Sequence, residues 1–153
     1  MTDVEDPRAL ADEIIRTNQY LILATADDTG SPWSTPVWFA TADNREFFWV
    51  SSPQARHSRN LAGRPDLAFS IFDSTQLPGT GRGVYVSAVA AEVPADGIDD
   101  GIAVFAEASQ RAGLTKEWTR ADVEAPARHR LYHASVDELF VNSSRDERIQ
   151  VLV

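Results

Sequence analysis

The chain has no cysteine, and that absence excludes disulfides, thiol nucleophiles and thiolate metal sites together. Nor is there a surplus of positive charge: 14 Lys and Arg stand against 23 Asp and Glu, a formal net charge of −9. This balance argues against nucleic acid or an anionic membrane as the main partner. No apolar run is long enough to cross a bilayer, and no secretory pattern follows Met1. A cytoplasmic protein is the expectation. Internal repeats and low-complexity tracts are missing too, and nothing marks a boundary between domains. The 153 residues, 43% hydrophobic and 24% charged, predict one domain over residues 1–153 with a core of its own.

A further absence is local. Between Glu46 and Asp66 there is no acidic residue, while Arg56, His57, Arg59 and Arg64 all fall there. The stretch begins as a strand over Phe47–Val50 and turns through Ser51 and Ser52. A short helix is then predicted from Pro53 to Ala62, with Ser52 as N-cap, Pro53 in the first position and Gly63 just past the end. Basic side chains in a first turn oppose the helix dipole. They make sense where an anion sits at the helix start; the alternative is a solvated basic face.

Elsewhere the pattern is mostly β with inserted helices. A helix from Pro7, capped by Asp6, carries a stripe of Leu10, Ala11, Ile14 and Ile15, and residues 1–6 before it are expected to be loose. Strands are predicted over Tyr20–Ala26, Pro32–Ala42, Leu67–Asp73, Arg82–Val93, Arg128–Asn142 and Arg148–Val153, in addition to the one at Phe47. Asp27-Asp28-Thr29-Gly30 reads as a hairpin turn. Pro36 cannot donate to a ladder and marks an edge, a bulge or a backbone with another task. A helix spans Asp96–Ala112, and residues 114–127 are irregular with Trp118 alone among polar neighbours. The sum is a β-barrel of six to seven strands and three helices.

Other constellations are weaker. On a strand, His129 and His133 lie on one face about 13 Å apart at a rise of roughly 3.3 Å per residue, too far for one metal. Ser51 and Ser52 near His57 lack a carboxylate within the stretch to orient the imidazole, so a hydrolase is not supported. Asp99, Asp100, Asp137 and Glu138 read as solvated charges.

The order of elements resembles that of the pyridoxamine 5′-phosphate oxidase-like flavin-binding split barrels, over roughly residues 8–153 and most sharply from Pro32 to Phe72. That family's signature is a strand ending in Thr or Ser, then Ser-Arg-Lys, then Asn or Gln with an aliphatic residue, then Asn-Pro. Here the strand ends at Ser51, the triplet is Ala55-Arg56-His57, Asn60-Leu61 follow, and Arg64-Pro65 close the motif. Pro32–Phe39 is similar to the family's second strand, whose backbone edge faces the flavin ring.

The resemblance implies a split β-barrel homodimer with FMN at the subunit interface, acting as a flavin-dependent oxidoreductase on a small molecule. It implies that Ser51, Arg56 and His57 hold the phosphate, with Ser52 beside them, and that Thr35, Pro36, Val37, Trp49 and Val50 border the ring and ribityl chain. Ala55 and His57 stand where the family has Ser and Lys, and Gly83 where it has a ring-contacting Gln. The Trp- and Arg-rich tail of true pyridoxamine phosphate oxidases is not found, so oxidation of vitamin B6 is not expected. Two rivals remain open: F420 in the same cleft, its longer tail met by Arg59 and Arg64, or a non-catalytic flavin or haem carrier or a barrel without cofactor. Trp118 either covers the partner's flavin or anchors its own loop.

Overall fold

A computed structural model describes residue 4 and residues 6–153. The expected loose start falls largely on residues outside that set. Asp6 caps α1 (Pro7–Thr17), its carboxylate accepting from the N–H groups of Arg8 and Ala9 at 3.0 Å each. Ala11, Ile14 and Ile15 are buried, as their spacing requires.

Eight strands form one antiparallel sheet among the described residues: β1 (Tyr20–Ala26), β2 (Pro32–Trp38), β3 (Ala40–Thr41), β4 (Glu46–Ser51), β5 (Asp66–Phe72), β6 (Gly83–Glu92), β7 (Arg130–Asn142) and β8 (Arg148–Val151). Their order is β2-β1-β5-β6-β7-β4-β3. β7 is long enough to pair β4 through residues 130–135 and β8 through residues 139–142.

The second strand, expected as one piece from Pro32 to Ala42, is two. β2 pairs β1, and β3 pairs β4. Between them the Phe39 N–H donates to the Gln19 carbonyl at 3.2 Å, and the buried Phe39 ring packs on Phe47 at 5.7 Å. Phe39 thus carries the chain from one margin of the sheet to the other. The sheet curls until β2 meets β4, yet no ladder joins them. The barrel is split there. With β3 read as the continuation of β2, seven strands and three helices match the expected architecture.

Leu21, Leu23, Phe47, Trp49, Ile71, Val84 and Leu139 fill the interior. α1 closes the end where β1 begins. At the opposite end α2 (Arg56–Gly63) inserts Leu61 and is pinned by Asn60, which donates to the Thr25 hydroxyl near the end of β1 at 3.0 Å. A second core lies outside the sheet, where α3 (Ile98–Arg111) packs Ile98, Ile102 and Phe105 over Phe48, Val50 and Leu131.

Trp118 belongs to this second core: its ring meets Phe105 edge-on at 5.1 Å and carries Lys116 over its face at 4.7 Å. It anchors its own segment. Asp99, expected to be merely solvated, pairs with Arg120 at 3.0 Å and ties the same segment to the start of α3. β7 begins at Arg130, so His129 lies outside the strand it was expected to share with His133. No helix among the described residues is long and apolar enough to cross a membrane.

One buried amide closes the end of the β6–β7 ladder. Asn142 accepts from the Gly83 N–H at 2.7 Å and donates to the Gly81 carbonyl at 3.1 Å. Asn142→Ala leaves a buried N–H unpaired and should lower the unfolding free energy by about 1–3 kcal/mol. Urea denaturation checks this; an unchanged midpoint would mean that water takes over the bond.

Candidate functional site

The split is where backbone goes unpaired. β2 has β1 on one side only, and Pro36 has no N–H to offer another strand. The expectation of an edge at Pro36 holds. Across the split, β3 covers β4 at Phe47 and Phe48 alone, so Trp49, Val50 and Ser51 present a bare edge. On β2 the Thr35 hydroxyl is buried and makes no hydrogen bond. A buried orphan hydroxyl is costly and calls for an explanation.

The chain then turns into α2, and here the expected helix start is corrected. Ser52 does not cap the helix. Its Oγ accepts from the Gln54 N–H at 3.1 Å and its carbonyl from the Ala55 N–H at 3.0 Å, closing a turn over residues 52–55. Pro53 suits the second place of that turn because its φ is already set. The helix starts at Arg56, with Ala55 as an N-cap that offers no side chain. Its first N–H groups therefore have no side-chain cap, next to Arg56 and His57 in the same turn.

His57 points inward. It is 7% exposed, and its Nε2 shares a 2.9 Å hydrogen bond with Ser51 Oγ. Burial pushes the imidazole below its ordinary value of 6.5, so near neutral pH it carries no charge. Arg56 is exposed and lies over the Trp33 ring at 4.4 Å. Beyond it runs a groove of about 620 Å³ lined by Asp27, Asp28, Arg56, Arg59, Asn60 and Gly63. The Thr29 hydroxyl and the Ser31 N–H, with Arg56 contributing, hold the Asp27 carboxyl below the usual range.

The structure thus brings Ser51, Ser52, Arg56 and His57 together at one end of the split, with Thr35 and Pro36 on the facing edge. Three expected residues lie differently. Trp49 is fully buried in the barrel, stacked on Tyr132 at 5.9 Å, and Val37 is buried beside it in the same core. Val50 points to the opposite side and packs under α3. Strand alternation forces this: Phe47, Trp49 and Ser51 share the inner face, and Phe48 and Val50 the outer. At the split, Trp49 and Val50 have only backbone to offer. Trp33, as the seat of Arg56, was not foreseen, nor was Thr25, the one buried hydroxyl of β1.

The family model for pyridoxamine 5′-phosphate oxidase matches residues 8–141. Among solved structures, a heme binding protein from Mycobacterium smegmatis is 19% identical, with a TM-score of 0.72; the match covers 93% of this chain and 56% of that one. This chain thus spans little over half the length of that relative. An F420 reductase is 19% identical over 84% of this chain and 94% of its own, with a TM-score of 0.61. An FAD-binding protein from Mesorhizobium loti is 15% identical over 86% of this chain and 90% of its own, with a TM-score of 0.65. No curated protein matches. At these identities the likeness is one of fold, and three proteins named for three different cofactors do not select among them.

The buried imidazole sets a pH dependence. With His57 held below 6.5, the unfolded chain takes up a proton in the window under 6.5 that the folded chain refuses. Stability is therefore full above that window and falls as pH drops through it. Native protein should lose urea resistance between about pH 7 and about pH 5.5, and His57→Gln should lose less. Parallel declines in both would assign the effect to another group.

Proposed function

This chain belongs to the pyridoxamine 5′-phosphate oxidase family, and from that premise we propose that it binds FMN in the split as a homodimer and serves as a flavin-dependent oxidoreductase for a small molecule. The observation that carries the reading is the uncapped start of α2 beside Ser51, Arg56 and His57. A phosphate there would meet free N–H groups, a guanidinium and a hydroxyl, in a chain otherwise rich in negative charge. The buried, unpaired Thr35 hydroxyl on the facing edge fits a ligand that supplies the missing partner. Bound flavin supplies hydride chemistry at its N5; this chain supplies position and electrostatics. Arg56 would leave the Trp33 face to reach the anion, and His57, neutral on its own, would gain a proton as the phosphate raises its pKa.

The dimer is supported by an uncovered sheet face. Two rows of residues cross four strands side by side: Pro36, Ile22, Ser70 and Tyr85, then Ser34, Ala24, Ala68 and Ser87. None of these eight is charged. Exposed Tyr20, Phe72 and Val89 border them. These neutral rows, edged by Arg148 over the Tyr85 ring and by Glu138 on Ser87, suit a second copy of the chain. F420 in place of FMN is the second reading: its longer acidic tail would reach Arg59 beyond Arg56, in a groove that Asp27 and Asp28 also line.

If a phosphate sits at α2, FMN should bind more tightly than riboflavin. Arg56→Ala should weaken FMN about ten- to a hundred-fold and leave riboflavin nearly unchanged. Quenching of flavin fluorescence measures both; equal affinities in the native protein would remove the phosphate from this helix. Ala68→Arg should turn a dimer into a monomer in sedimentation and weaken FMN with it. A dimer that survives Ala68→Arg would place the interface elsewhere.

A further inference from the structure

A second cleft, sharing no residue with the split, lies between α3 and the outer side of β4 and β7. It has a volume of about 430 Å³, room for one or two rings. Its walls are apolar: Phe48, Val93, Pro94 and Val104. Gly97 and Gly101 let α3 approach; a Cβ on Gly101 would come within 2.9 Å of both Phe48 and Leu131.

Against these walls stands one ordered polar group. Glu46 Oε2 accepts from His133 Nδ1 at 2.8 Å, and Oε1 accepts from the Ser135 hydroxyl. The His133 ring also stacks on Phe48, 22° from parallel. With Nδ1 held by the carboxylate, Nε2 is the ring nitrogen left for a ligand. Charge narrows the ligand further. Glu46, Asp43 and Asp100 line the cleft, and no Lys or Arg does.

We propose that this cleft binds a small hydrophobic amine, its apolar body between Phe48 and Val104 and its nitrogen at His133 Nε2, in a cleft whose charged lining is Asp43, Glu46 and Asp100. An anion would meet three carboxylates. A wholly apolar molecule would bury His133 Nε2 without a partner. A cationic amine satisfies both, and the Phe48 ring adds attraction.

The test uses the full chain and three probes with one body: 1-naphthylmethylamine, 1-naphthylmethanol and 1-naphthoate. Calorimetry should show the amine binding most tightly and the carboxylate about ten-fold or more weaker, with no change when saturating FMN is present. Glu46→Gln should narrow the gap between amine and alcohol, and Val104→Trp should abolish binding of both by filling the cleft. In the unaltered protein the amine should shift the methyl resonances of Val93 and Val104. Equal binding of amine and carboxylate, or amine binding that leaves those methyls unmoved, overturns the proposal. Because riboflavin and FMN report on a different site, failure here leaves the flavin reading standing, and the reverse.

Discussion

A buried hydrogen bond between His57 and Ser51, 2.9 Å long, fixes the start of α2 against the end of β4. The rest of the site depends on that attachment. β4 ends without a ladder partner on one side because β3 is only two residues long, and β2 faces it without bonding. Were either edge completed, the barrel would close and α2 would have no gap to overlook. Asn60 makes the second attachment, to Thr25 on β1. Together the two bonds hold a short, uncapped helix across a gap that backbone hydrogen bonding leaves open.

The electrostatics follow from the same placement. Burying an imidazole opposes its charge, so the folded protein keeps His57 neutral and leaves Arg56 as the exposed cation at the helix start. Arg56 rests on Trp33, a contact weak enough at an exposed position to be exchanged for an anion. An acidic chain with one acid-free basic stretch concentrates its attraction for anions there, against Asp27 and Asp28 across the same groove.

Much of this was legible in residues. The nearly continuous apolar run of Tyr20–Ala26, the acid-free stretch after Glu46 and the missing N–H of Pro36 located a strand, the helix and the sheet edge. The start of α2 was misplaced by three residues because Ser-Pro serves a turn as readily as a helix start, and only the following residues decide between them. The faces of Trp49 and Val50 could not be read from an aromatic run, Phe47-Phe48-Trp49-Val50, that has apolar side chains on both sides. One face fills the barrel and the other meets α3; long-range packing sets which is which. The pairing of Glu46 with His133, 87 residues apart, follows from the β4–β7 register and leaves no local trace.

The central claim is that an anion enters at the junction of β4 and α2 and changes the state of His57. Nitrogen NMR of the His57 side chain reads that state directly. At about pH 7 the ring should show the neutral pattern alone and with riboflavin, and the doubly protonated pattern with FMN. A His57 that stays neutral and unshifted when FMN is bound would contradict the account.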